Sequence, residues 1–100
     1  MTILTKEELE SLLPKVKEFC NYKSSSHDNE FLQTIQACVI DLQNGGVNKV
    51  EADDAMIQQA VKLYCRAFVG YNDSSNKFAQ AYEFLKYSLE LSSDYNGDES

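Results

Sequence analysis

Few residues in this 100-residue chain have the types and spacing that catalysis or metal binding requires. The single histidine, His27, lies in a serine-rich polar stretch, and we interpret it as a surface residue beside a helix start rather than as the base of a nucleophile. The cysteines Cys20, Cys38 and Cys65 are odd in number and far apart, which fits neither a disulfide framework nor a CxxC pair. They lie on or beside apolar helix faces, where cysteine usually acts as a small buried hydrophobic residue.

Two pairs of neighbouring carboxylates, Glu7–Glu8 and Asp53–Asp54, each open a predicted helix. Negative charge there is stabilised by the free N–H groups of the first turn, so we interpret both pairs as helix caps rather than as an acid–base pair. The C-terminal acidic residues lack the spacing of an EF-hand, and the glycines at 45 and 46 lack the Lys and Ser or Thr of a phosphate-binding loop. The sequence therefore predicts no enzymatic activity, no cofactor and no metal site.

Charge and composition limit the partners of the chain. Nine Lys and Arg residues against sixteen Asp and Glu residues give a formal net charge of −7. Because binding of a nucleic-acid backbone needs clustered basic residues and those here are scattered, we expect DNA to pass near this surface without being bound. The opening segment lacks the apolar core of a signal peptide, and no run approaches the roughly 18 apolar residues of a membrane span. We therefore expect the chain in a reducing compartment, by default the cytoplasm, and no membrane contact.

Hydrophobic periodicity predicts an all-α fold, a small bundle of about four helices without a convincing strand, although the segment 47–50 is compatible with a very short one. The first helix begins at Thr5, which has the capping-box spacing to Glu8. Pro14 within this helix predicts either a kink or a break. The second helix is predicted from about Asn29 to Gln43, with Ser26 or Asp28 as its cap and Gly45 as its left-handed stop.

The third helix begins at Asp53, and its wide apolar arc predicts a central position with neighbours on several sides. We expect this helix to end at Gly70. A short turn at Tyr71–Ser75 then makes it an antiparallel hairpin with a fourth helix, predicted from about Ser75 to Leu91. We expect residues 1–92 to form a single helical domain and residues 93–100 to form a flexible acidic tail.

Two apolar features have no place in this predicted core. Ile40 lies within the polar face of the second helix, and Phe84, Tyr87 and Leu91 form a second stripe on the fourth helix, roughly opposite its core stripe. A domain of this size has few elements with which to cover both sides of its last helix, so these residues are candidates for an interface. The alternative is that the fourth helix lies between neighbours and that Ile40 is an isolated exposed residue.

The C-terminal half of the sequence is similar to a known family. The stretch DDAMIQQAVKLYCRAFVGYND at Asp53–Asp73 is followed by FAQAYEFLKYSLELSSDY at Phe78–Tyr95. Its acidic pair before a helix, its QAVKLY core, its aromatic-Val-Gly-Tyr-Asn-Asp turn and its final SSDY resemble the small head–tail connector, or adaptor, proteins of long-tailed double-stranded DNA phages and prophages. The N-terminal LTKEEL is also similar to that family.

This resemblance implies a structural virion protein without enzymatic activity. It implies a ring of about a dozen subunits between the portal protein and a head-closure or tail-completion protein, with double-stranded DNA passing through the lumen. It also implies assembly in the host cytoplasm, a final location at the head–tail interface of the virion, and docking of Ser92–Tyr95 on the portal. The candidate interface therefore comprises Ile40, Phe84, Tyr87, Leu91 and Tyr95.

The charge of the chain is equally compatible with a second class of protein. A small acidic helical inhibitor, such as an immunity or anti-defence protein, would block a basic nucleic-acid-binding partner. Such an inhibitor should concentrate its Asp, Glu and Tyr residues and remain monomeric until it meets its target. The acidic residues here are dispersed along the helices, which favours the connector.

Overall fold

The computed structural model describes residues 4–69 and 74–97, and within these residues the chain contains helices and no strand. The predicted all-α helical bundle is therefore confirmed, and the segment 47–50 is an irregular loop that buries Val47 and Val50. None of the described helices is long and apolar enough to cross a membrane. The helices are α1 (Lys6–Phe19), α2 (Asp28–Asn44), α3 (Ala55–Phe68), α4 (Ser75–Leu91) and α5 (Ser93–Asn96).

Helix α3 is the centre of the bundle, as its wide apolar arc predicts. It packs against α1, α2 and α4, and its most extensive contact is with α4, its partner in the predicted hairpin. Met56 and Phe68 depart from the predicted arc, because each is exposed at one end of α3. Gly70 and the predicted turn at 71–73 lie outside the described residues. The buried residues of α3 are Ile57, Ala60, Val61, Leu63, Cys65 and Ala67.

Helix α1 begins with the predicted capping box. The Thr5 hydroxyl accepts a hydrogen bond from the Glu8 N–H at 3.2 Å, and the Glu8 carboxylate accepts one from the Thr5 N–H at 2.9 Å. The helix continues through Pro14 to Phe19, so of the two predicted alternatives the break is wrong. Pro14 is exposed on the side opposite the buried Leu12 and Val16, and its ring therefore does not disturb the core.

The predicted caps of α2 are wrong at both ends. The N-cap position is occupied by His27, whose side chain makes no capping hydrogen bond. Ser26 instead accepts a hydrogen bond from the Ser24 hydroxyl, and Asp28 forms an ion pair with Lys17 at 2.7 Å that ties α2 to α1. At the other end the backbone of Gly45 is right-handed, with φ −84°. The left-handed residue is Gly46, with φ 106°.

Gly45 lies where side chains of α4 approach the end of α2. A Cβ atom at this position would overlap the carboxylate of Glu90 and the end of the Lys86 side chain. The side-chain ends of Glu90 and Lys86 therefore lie directly against the backbone at the end of α2.

Arg66 also differs from its predicted position on a polar stripe of α3. Its guanidinium donates a hydrogen bond to the Phe19 carbonyl at 2.7 Å and lies over the ring of Phe78, 4.5 Å from the centroid. It thus joins the end of α1 to the first part of α4 through a charged hydrogen bond and a cation–π contact.

Candidate interaction surface

The two sides of α4 have opposite environments. On the inner side Tyr82 and Leu89 are buried. On the outer side Phe84 is 77% exposed, Tyr87 63% and Leu91 68%, and we call these three residues the outer stripe. The exposure predicted from the sequence is confirmed, whereas an interface role for the stripe remains a prediction.

The outer stripe is exposed because the described elements cover only one side of α4. This helix packs against α3 and α5. The spacing of Phe84, Tyr87 and Leu91 aligns them along about two turns of the helix. A contiguous row of large apolar side chains loses free energy when it stays in water, so such a row commonly marks a surface that another molecule covers.

A buried polar contact fixes the rotation of α4 and therefore the direction in which the outer stripe points. The Tyr82 hydroxyl donates a hydrogen bond to Oδ2 of Asp41 at 2.6 Å, and the Lys86 Nζ lies 3.1 Å from the same oxygen. Tyr82 is nearly fully buried, and burial raises the pKa of its hydroxyl, which keeps it protonated as a donor. Because Tyr82 and Lys86 both face α2, Phe84 and Tyr87 face outward.

Ile40 lies on α2, directly before Asp41, and is half-buried, whereas the residues of the outer stripe all belong to α4. Its interface role remains a prediction.

Tyr95 is held within the fold, where the sequence predicts a flexible tail. Its side chain is half-buried against the core, and its hydroxyl lies 3.0 Å from both carboxylate oxygens of Asp54. Its carbonyl accepts hydrogen bonds from the N–H groups of Asn48 and Lys49 at 2.8 and 3.0 Å. Burial raises the pKa of the Tyr95 hydroxyl, and the hydrogen bond to Asp54 acts in the same direction. Residues 98–100 lie outside the described part of the chain.

Burial disfavours the reactive form of the three cysteine thiols. Burial raises the pKa of the Cys38 thiol to about 12 and that of Cys20 to about 11, and it raises the pKa of Cys65 as well. A thiol is nucleophilic as the thiolate, so these raised pKa values disfavour the nucleophilic form of the three cysteines near neutral pH. His27 is exposed, and its Nδ1 atom is 3.8 Å from a Glu30 carboxylate. Within residues 4–69 and 74–97, no cluster of three or more His, Cys, Asp or Glu residues is arranged to hold a metal ion.

A comparison with protein families identifies the family of the chain. Residues 12–96 match a family model described as phage connector protein. No curated protein and no solved structure matches the chain significantly. The matched segment contains α2, α3, α4 and α5 completely, together with every residue of the outer stripe. Because the match covers most of the chain, the resemblance seen in the sequence is confirmed, and the chain belongs to the phage connector protein family of structural phage proteins.

Proposed function

We propose that this chain is a ring-forming head–tail connector. Its subunits surround the channel through which DNA passes, and the ring joins the portal protein to a head-closure or tail-completion protein in the virion. The observation that carries this proposal is the outer stripe, three large apolar side chains left 63–77% exposed on a helix that the subunit itself fixes in place. Membership of a structural phage family makes another virion subunit the natural cover for that surface.

The charge of the chain supports the same role. A net charge of −7 opposes adhesion of the DNA backbone, which must move past a connector during packaging and ejection. A ring also requires two different complementary patches on each subunit, since a patch that pairs only with itself produces a dimer. The outer stripe is one such patch.

The test is complementation of a phage that lacks the gene for this chain. Wild-type chain is expected to restore infectious particles, and Phe84→Asp or Leu91→Asp is expected to leave filled heads without tails. The buried charge would cost several kcal/mol at an interface but little on an exposed monomer surface. Circular dichroism and thermal unfolding establish that each variant is folded.

Gln33→Asp is the matched control, because Gln33 is exposed on α2 and receives the same new charge. Electron microscopy of the chain mixed with portal protein should show an added ring with the wild type and with this control. Normal virions made with Leu91→Asp would contradict the interface assignment. Normal virions made without the chain, together with a 1:1 complex with a basic nuclease, would favour the acidic inhibitor instead.

A further inference from the structure

A second apolar surface lies at the end of α1. A depression of about 440 Å³ is walled by Leu13, Pro14 and Tyr22, and the charged residues Lys17, Glu18 and Lys23 also line it. We call it the α1 groove. Depressions of a few hundred Å³ accommodate whole small-molecule ligands, so this one has room for an aromatic side chain.

The α1 groove is preformed. Asn21 is left-handed, with φ 62°, and reverses the chain so that the Tyr22 N–H donates to the Lys17 carbonyl at 2.9 Å. The Tyr22 ring is held edge-on against the buried Phe31, with centroids 5.1 Å apart. A wall held in this way loses little side-chain entropy when a partner binds.

We infer that the outer stripe of one subunit packs into the α1 groove of a second copy of this chain, so that subunits associate head to tail. This inference rests on the proposed function, because it supplies the acceptor for the surface that the connector role requires. The groove and the stripe are on separate elements of the bundle. Helix α1 packs against α2 and α3, whereas α4 packs against α3 and α5. One subunit can therefore use both surfaces at once, as a ring requires.

Charge selects this pairing over a contact between two outer stripes. Glu83 and Glu90 flank the stripe, and the nearby Lys86 is already paired with Asp41. Two stripes facing each other would bring these carboxylates together, and like charges in contact disfavour a complex. The lining of the α1 groove is instead of mixed charge. Lys23 is exposed and forms no ion pair among the described residues, Lys17 is paired with Asp28, and Glu18 is exposed, so an acidic stripe meets less repulsion here than at another stripe.

The experiment places the photo-crosslinker p-benzoylphenylalanine at Phe84 of the full chain, at millimolar concentration and also in the assembly with portal protein. We expect a covalent dimer in which mass spectrometry locates the new bond in the peptide that contains residues 13–23. A bond to α4 of the second copy, or no dimer under either condition, would overturn the inference.

Charge reversal tests the same contact with a second readout. Lys23→Glu is expected to lower the dimer yield several-fold, and mixing it with a subunit that carries both the crosslinker and Glu83→Lys is expected to restore the yield. Lys77→Glu, an equal reversal at an exposed residue of α4, should have no effect. Lack of rescue together with an unchanged yield for Lys23→Glu would contradict the proposed pairing.

The two proposals fail in different ways. Rings on the portal without a bond between residue 84 and the α1 groove would reject this pairing and leave the connector role standing. Normal virions in the absence of the chain would reject the connector role, whatever the crosslink.

Discussion

The hydroxyl of Tyr95 lies 3.0 Å from each carboxylate oxygen of Asp54, the residue that caps the central helix α3. One of those oxygens also accepts the N–H groups of Met56 and Ile57, at 2.8 and 3.3 Å. The same carboxylate therefore starts α3 and anchors the C-terminal helix α5. This contact makes α5 part of the folded domain, in the region that the family resemblance associates with portal docking.

Removal of the Tyr95 hydroxyl tests this anchor. Tyr95→Phe is expected to lower the free energy of unfolding by about 1 kcal/mol, since it deletes hydrogen bonds to a charged acceptor. It should also speed amide hydrogen exchange in residues 93–96, measured by mass spectrometry. Tyr87→Phe is the matched control, because it removes an exposed hydroxyl from α4. Equal exchange in the two variants would show that the anchor contributes nothing.

The contact between Tyr82 and Asp41 predicts an asymmetry between its two partners. Asp41→Ala leaves a buried hydroxyl without its acceptor and should cost about 2–3 kcal/mol, whereas Tyr82→Phe leaves a half-exposed carboxylate that keeps Lys86 and should cost about 1 kcal/mol. The double variant should cost less than the sum of the single changes. Urea denaturation measures all three. Additive losses would contradict a direct energetic coupling between these two residues.

Truncation of two phenylalanines separates the core from the outer stripe. Phe31 is fully buried on α2, so Phe31→Ala should lower the free energy of unfolding by about 3–5 kcal/mol. Phe84 is 77% exposed, so Phe84→Ala should change it by no more than about 0.5 kcal/mol. Thermal unfolding of the monomer provides the comparison. A large loss in Phe84→Ala would mean that the subunit needs this ring for its own stability.

The continuity of α1 through Pro14 predicts that the proline weakens this helix. Proline in a helix interior lowers the free energy of unfolding by about 3 kcal/mol relative to alanine. Proline also reduces the conformational entropy of the unfolded chain, which offsets part of this loss. Because Pro14 is exposed, Pro14→Ala should raise the free energy of unfolding by about 1–2 kcal/mol. Ser11→Ala, at another exposed site of α1, is the control. Destabilisation by Pro14→Ala would indicate that the ring itself makes a needed contact.

The buried thiols predict loss of stability at alkaline pH. Burial raises the pKa of Cys38 to about 12, above the value of about 8.5 for an unfolded cysteine. Above that ordinary value the unfolded chain has released protons that the folded chain retains, so stability falls as pH rises from about 8.5 toward 12 and is unaffected by this group at lower pH. Urea midpoints across this range measure the slope. Cys38→Ala should reduce it, and an equal slope in this variant would contradict the assignment.

The local features of the sequence predicted much of the fold. The apolar periodicity of residues 6–19, 28–44, 55–68 and 75–91 indicates amphipathic helices, because a 3.6-residue repeat places its apolar side chains on one face. The capping box at Thr5 and Glu8 involves neighbouring residues and was therefore predictable. The outer stripe was predictable for the same reason, since Phe84, Tyr87 and Leu91 repeat with the period of the helix but lie out of phase with its core face.

Features that join distant residues were not predictable from the sequence. Asp28 is a residue type typical of a helix cap, yet its carboxylate forms an ion pair with Lys17 of α1. Gly45 is a residue type typical of a left-handed helix stop, yet its backbone is right-handed and the side-chain ends of Glu90 and Lys86 from α4 lie against it. Tyr95 follows a polar segment typical of a frayed terminus, but it contacts an acid 41 positions earlier. No short-range pattern records such partners.

The sequence by itself determined the four long helices, most of their buried faces and the surplus apolar stripe on α4, because each depends on residues within a few turns of one another. Only the tertiary structure decided how α4 is rotated, that α5 is anchored on Asp54, and that an apolar groove lies at the end of α1. These depend on contacts between helices, and such contacts form only after the whole core has packed.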